Sequence, residues 1–174
     1  MKPTEKLDEF NISLASLDAG KNIFNYSVTQ DFMQIFNPDY SKKTDINITI
    51  VLQKRHTLID VEILGKGSIE VMCNRCAESF IYPINIEEKL IVKYTDVPTE
   101  DTVEEKYVRY SSTEINFSKE IYDIIYLAVP MYVVHPDTET GESTCNAETL
   151  ELLQTYSEKN MPSHWDKLKE LIEK

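Results

Sequence analysis

The chain has no long apolar run, little positive charge and few cysteines, and each shortage narrows what it does. No window approaches the run of about 18 apolar residues that a membrane-spanning helix needs. The opening MKPTEKLDEF lacks the basic start and apolar core of a signal peptide, so a cytoplasmic location is expected. Eighteen Lys and Arg stand against 30 Asp and Glu, a net charge of -12. That balance disfavours a surface built to neutralise phosphates, because nucleic-acid binders present a basic face and the basic clusters here, Lys42-Lys43 and Lys54-Arg55-His56, are small. Three cysteines, an odd number, do not make a disulfide framework. Metal ligation or catalysis is the more natural use for them. A phosphate-cradling glycine loop, a Ser-His-Asp arrangement and a recognisable pair of catalytic carboxylates are all missing.

What is present is a chain of 174 residues, 41% hydrophobic, enough to bury a core without staples. Phe24, Tyr26 and Val28 alternate with polar neighbours, which predicts a strand over 22–28. Phe32, Met33, Ile35 and Phe36 then recur at helical spacing up to Asn37-Pro38-Asp39. Ile46, Ile48, Ile50 and Leu52 predict the first arm of a hairpin with its tip at Lys54-Arg55-His56. The return arm keeps one phase through Ile59, Val61, Ile63, Gly65, Gly67, Ile69 and Val71. Glycines in the core-facing phase predict a bend or bulge where the sheet curls. Phe80, Tyr82, Ile84, Ile86, Leu90, Val92 and Tyr94 predict the next strand, and a short one is expected over 107–110 after a solvated acidic loop over 96–106.

From Ser118 the period turns helical. Ile121, Ile124, Ile125 and Ala128 share a face, with Ser118 as N-cap and Pro130 closing the segment. A second helix is expected from Asn146 with Leu150 and Leu153 buried, and a third from Ser163 with a capping box to Asp166 and Trp165, Leu168 and Ile172 inside. Strands first and helices afterwards imply an α+β fold: a curved antiparallel β-sheet, with barrel-like closure as one option, followed by C-terminal helices. The expected organisation is a single domain over 1–174, with an extended N-terminal segment over 1–20, mainly strands over 22–110 and mainly helices over 117–174.

The chemistry concentrates in VMCNRCAESF, where Cys73 and Cys76 have the spacing by which a tight turn offers two thiolates to one metal. A structural zinc site needs four ligands, and His135 and Cys145, which bracket the polar loop VHPDTETGESTC, are the candidates for the other pair. Cys73, Cys76, His135 and Cys145 would form a closed Cys3His site with no open position for a reacting water. Unliganded thiols are the bland alternative. A redox pair is a third reading, but a thioredoxin-type motif sits at a helix N-terminus, and here both flanks read as strands. His56 reads as a solvated hairpin tip and His164 as a local capping or surface residue.

Taken together, ISLASLDAGKNIFNYSVTQDFMQIF, GSIEVMCNRCAESFIYPI, INFSKEIYDIIYLAVPMYVVHP with CNAETLELL, and SHWDKLKEL resemble the YceD-like family in the form found in Bacteroidetes. These are the large ribosomal RNA subunit accumulation proteins, long grouped as a domain of unknown function. The resemblance implies a cytoplasmic bacterial factor for accumulation or processing of large-subunit ribosomal RNA, with no established enzymatic activity. It places the family's cysteine pair on Cys73 and Cys76 and its second ligand-like group on His135 and Cys145. The closing motif departs, reading Pro162-Ser163-His164-Trp165 where related chains usually have Asp-Pro-Arg-Trp. The leading expectation is therefore a non-enzymatic, zinc-stabilised ribosome-assembly factor whose acidic surface meets ribosomal proteins or large-subunit assembly intermediates rather than naked RNA. A thiol redox enzyme using the cysteine pair, a ribonuclease with an unrecognised acidic cluster, and an adaptor unrelated to ribosomes are the alternatives.

Overall fold

The computed structural model describes residues 7–97, 99–102 and 104–158. The third predicted helix, with Ser163, His164, Trp165, Asp166, Leu168 and Ile172, lies outside the described residues. In chain order the elements are β1 (Asn11–Ser13), β2 (Gly20–Thr29), α1 (Gln30–Phe36), β3 (Thr44–Lys54), β4 (Leu58–Met72), β5 (Ser79–Thr95), β6 (Glu105–Arg109), β7 (Glu114–Asn116), α2 (Ser118–Ala128) and α3 (Ala147–Glu158). The fold is α+β. Its described residues divide into two compact units: those up to Val71 together with Ile81–Met131, and Met72–Phe80 together with those from Tyr132 onward. None of the described helices is long and apolar enough to cross a membrane.

The first unit is built on a five-stranded sheet in the order β2-β3-β4-β5-β6. It is open, with β2 and β6 as its edges, so the barrel-like option is not realised. The alternation of Ile, Val and Leu does what period-2 patterning dictates, placing every second side chain inside. Ile46, Ile48, Ile50 and Leu52 of β3 and Ile59, Val61 and Ile63 of β4 are all at most 2% exposed. Phe10 continues this core. Its ring lies 4.8 Å from Tyr26 of β2 and 4.8 Å from Phe32 of α1, and a further ring contact joins Phe36 to Tyr122 of α2 at 4.7 Å. A small second sheet pairs β1 with β7 through Ile12 opposite Ile115. Phe10, Ile12 and Leu14 are thus buried within the segment expected to be merely extended.

Three local expectations are corrected. Of the bend or bulge expected at the glycines of β4, no bulge occurs against β3, whose register with it runs unbroken from Thr44 opposite Ile69 to Lys54 opposite Ile59. The glycines serve close approach: a Cβ on Gly67 would lie 2.1 Å from the carbonyl oxygen of Asp45, and one on Gly65 would lie 2.8 Å from Cδ1 of Ile48. Secondly, β6 runs parallel to β5, with Ile91 opposite Glu105 and Thr95 opposite Arg109. Parallel strands usually need a helical crossover, but here the chain retraces only a five-residue ladder, a distance the connection over 96–104 spans without one. That acidic connection is not wholly solvated, since the Asp101 carboxylate accepts the Tyr107 backbone N–H at 2.7 Å and lies 3.5 Å from Lys106 Nζ. Thirdly, Ser118 is the first residue of α2 rather than its cap: Phe117 stands at the N-cap without a side-chain bond, and Asn116 before it accepts the Ser118 backbone N–H through Oδ1 at 2.9 Å.

In the second unit, Asn146 caps α3 as its type predicts, Oδ1 accepting the Thr149 N–H at 3.1 Å. Leu150 packs inward, but Leu153 is 46% exposed and does not join the buried side.

The glycine contacts generate an ordered pair of substitutions. Gly67→Ala drives a methyl into β3 backbone and is expected to cost about 3 kcal/mol or to prevent folding, whereas Gly65→Ala meets movable side chains and should cost about 1 kcal/mol. Urea midpoints at constant slope measure both, and a Gly65→Ala loss larger than that of Gly67→Ala would contradict this account.

Candidate metal centre

Cys73 to Glu78 forms a tight turn between β4 and β5. The Cys73 N–H donates to the Glu78 carbonyl at 2.9 Å, and the Ala77 N–H donates to the Cys73 carbonyl at 2.9 Å. The turn closes only because Ala77 adopts φ 60°, a left-handed conformation. No helix follows the pair, which removes the helix-dipole feature that a thioredoxin-type thiol relies on. The turn also aims backbone N–H groups at sulfur, with Arg75 N–H donating to Cys73 Sγ at 3.4 Å.

The second pair arrives on a loop held by polar bonds rather than by apolar mass. Asn74 grips both sides of Val133: its backbone N–H donates to the Val133 carbonyl at 2.8 Å, and its Oδ1 accepts the Val133 N–H at 2.7 Å. Two residues on, the His135 backbone N–H donates to Cys73 Sγ at 3.4 Å. The loop then folds back through a bridge between Asp137 and Ser143, and the Arg75 guanidinium donates to Ser143 Oγ at 2.9 Å. Asn146 completes the clasp, its side-chain amide donating to Glu78 Oε1 at 2.8 Å and leaving Cys145 just ahead of α3. Nothing in sequence spacing pointed to Asn74, Arg75 and Asn146 as supports, because their partners lie 59 to 68 residues away.

All four candidate ligands converge. One ligand atom from each of Cys73, Cys76, His135 and Cys145 lies within 4.8 Å of the others. Cys73 Sγ is 3.7 Å from Cys145 Sγ, and His135 Nδ1 is 3.3 Å from Cys76 Sγ and 3.7 Å from Cys145 Sγ. The residues fit a tetrahedral zinc: bonds of about 2.3 Å to sulfur and about 2.0 Å to nitrogen place ligand atoms about 3.5 to 3.8 Å apart. The three cysteines are free thiols and at most 7% exposed, shielded by Phe80, Val134 and Leu150. The Phe80 ring sits 4.5 Å from the imidazole of His135.

The electrostatics is uneven across the cluster. Burial pushes the Cys73 thiol up, but backbone N–H groups of Cys76, Arg75 and His135 and the His135 side chain together outweigh it, bringing the group down to about 5. Cys145 goes the other way. The Ser143 hydroxyl favours its thiolate, yet burial and the neighbouring Cys73 and Cys76 sulfurs raise it overall. Three buried sulfurs and an imidazole nitrogen, with backbone N–H groups favouring the thiolate of Cys73, are a donor set suited to a soft divalent cation. His56, by contrast, stands exposed at the hairpin tip of the first unit and is not one of this set.

The strain at Ala77 is open to test, because its side chain is exposed and no packing is lost on its removal. Ala77→Gly is expected to raise stability by about 1 kcal/mol in thermal or urea unfolding, and Ala77→Val to lower it.

A family model described as "Large ribosomal RNA subunit accumulation protein YceD" matches residues 61–172, more than half of the chain and a span that includes Cys73, Cys76, His135 and Cys145. No curated protein and no solved structure matches the chain significantly. With the cysteine turn and the loop that carries His135 and Cys145 inside the matched span, the chain belongs to the YceD family of large ribosomal RNA subunit accumulation proteins.

Proposed function

We propose that this chain is a non-enzymatic ribosome-biogenesis factor that supports accumulation or processing of large-subunit ribosomal RNA and is stabilised by a structural zinc ion. The family match carries the first half of this reading, and the convergence of three thiols and an imidazole nitrogen supports the second. Cys73, Cys76 and Cys145 would hold the ion through sulfur and His135 through Nδ1. When bound, zinc supplies a closed four-coordinate link between the Cys73–Glu78 turn and the loop before α3. Asn74, Arg75 and Asn146 orient the two halves before the ion enters. The work belongs in the cytoplasm, where thiols stay reduced.

Charge suggests how such a factor acts. A chain of net charge -12 is repelled by exposed ribosomal RNA, whereas a basic ribosomal protein or an assembly intermediate presenting one is attracted to it. The action is therefore proposed to run through protein partners.

Protein purified without chelator is expected to contain one zinc per chain by elemental analysis, and Cys76→Ser and His135→Ala to lose most of it. Chelation should lower the unfolding temperature of wild type and leave the two variants unmoved. A zinc-free wild type, or full zinc retention by His135→Ala, would sink the four-ligand site. At physiological salt, association with purified large-subunit proteins should exceed association with naked ribosomal RNA. Tight, steeply salt-dependent binding to the RNA alone is the opposite outcome.

A further inference from the structure

The sulfurs of the second unit are held together by groups that are not themselves ligands. Asn74, Arg75 and Glu78 of the turn bond to Val133, Ser143 and Asn146 respectively. None of these bonds passes through a sulfur, so none depends on an ion. Cys73 stands at the seam they make: its Sγ accepts the Arg75 N–H from the turn and the His135 N–H from the loop, both at 3.4 Å.

Cys145 reaches the same seam from the far end of the loop, its Sγ 3.7 Å from Cys73 Sγ. A disulfide bond is about 2.05 Å long, so the pair closes by a movement of less than about 1 Å in each sulfur. Cys76 is engaged elsewhere, its Sγ against His135 Nδ1 at 3.3 Å. Cys145 is also the most open of the three, 7% exposed against 2% for Cys73 and 5% for Cys76, and follows the exposed Thr144.

We propose that Cys73 and Cys145 form a reversible, peroxide-sensitive disulfide that replaces the zinc ion as the tie between turn and loop. The bridge stands on the two sulfurs alone; the release of zinc rests on the four-ligand reading above. One of the two sulfurs attacks a peroxide oxygen: the S–O bond forms, the O–O bond breaks and hydroxide leaves. The other sulfur, already alongside, then displaces that oxygen as water and the S–S bond forms. Two thiols lose two electrons and two protons, and one hydrogen peroxide becomes two waters. Cys76 and His135 by themselves do not complete a tetrahedral shell, so the ion departs. A bridge from Cys73 to Cys76 would leave the loop untied, whereas one to Cys145 joins positions 72 residues apart and keeps the clasp closed. In a compartment where thiols stay reduced the bridge is transient, made under peroxide and undone by thiol exchange.

The full chain, purified without chelator, tests this when treated with hydrogen peroxide in the absence of reductant. Zinc release is followed with a chromogenic chelator, free thiols are alkylated, and unreduced peptides are mapped by mass spectrometry. One Cys73–Cys145 linked pair should form for each zinc lost, Cys76 should be recovered alkylated, and dithiothreitol with added zinc should restore the starting state. Cys76→Ser, which keeps both partners, should form the same bridge with no zinc to release. A main product linking Cys76 to either of the other cysteines overturns the proposal, as do sulfinic or sulfonic acids without a bridge, or three thiols that stay alkylatable in large excess of peroxide. A chain purified without zinc that still forms the Cys73–Cys145 bridge ends the four-ligand reading and upholds the bridge; a zinc-loaded chain that forms no bridge does the reverse.

Discussion

Three buried sulfurs and one imidazole nitrogen drawn within 4.8 Å of each other are the constraint on which the second unit depends. Apart from Cys73, Cys76 and Cys145, the only well-buried apolar residue there among the described residues is Val133, with Phe80, Val134 and Leu150 partly covered around the sulfurs. So little apolar mass cannot offset the entropy of ordering a turn, a loop and a helix start. The ligand cluster is this unit's core. Polar bonds from Asn74, Arg75 and Asn146 set its geometry.

The first unit is organised on the opposite principle. Its core is aliphatic strand faces closed by an aromatic run through Tyr26, Phe10, Phe32, Phe36 and Tyr122, and hydrophobic burial dominates. Polar contacts there are local adjustments. Lys106 is the clearest, half-buried with Glu120 of α2 and reached by Asp101 from the acidic connection. One chain thus contains a sheet that folds by burial and a clasp that folds by ligand convergence, and these respond to different conditions. Loss of methylenes affects the first. Oxidation or competition for soft cations affects the second.

The acidity of the chain links these features to its proposed work. A net charge of -12 is a cost to compactness, yet it makes a basic partner's approach fast and an RNA backbone's approach slow.

Much of this was legible in the residues because periodicity is a local property. The alternation over Ile46 to Leu52 and Ile59 to Val71 specified two strands and their inward faces, and C-x-x-C between strands specified a turn presenting two sulfurs. Pairing His135 and Cys145 with that turn relied on their shared loop and on ligand arithmetic. Local pattern could not say that β6 lies parallel to β5, because strand direction depends on where a connection returns. Nor could it say that Gly65 and Gly67 serve close approach, that Phe117 rather than Ser118 stands at the N-cap of α2, or that Leu153 faces outward. Each of those depends on which atoms from distant segments occupy the space beside a residue. Sequence alone determined the long strands, their inward faces and the candidate ligand residues; tertiary structure decided strand direction, support and convergence, since contacts between segments some 60 residues apart leave no periodic trace in either one.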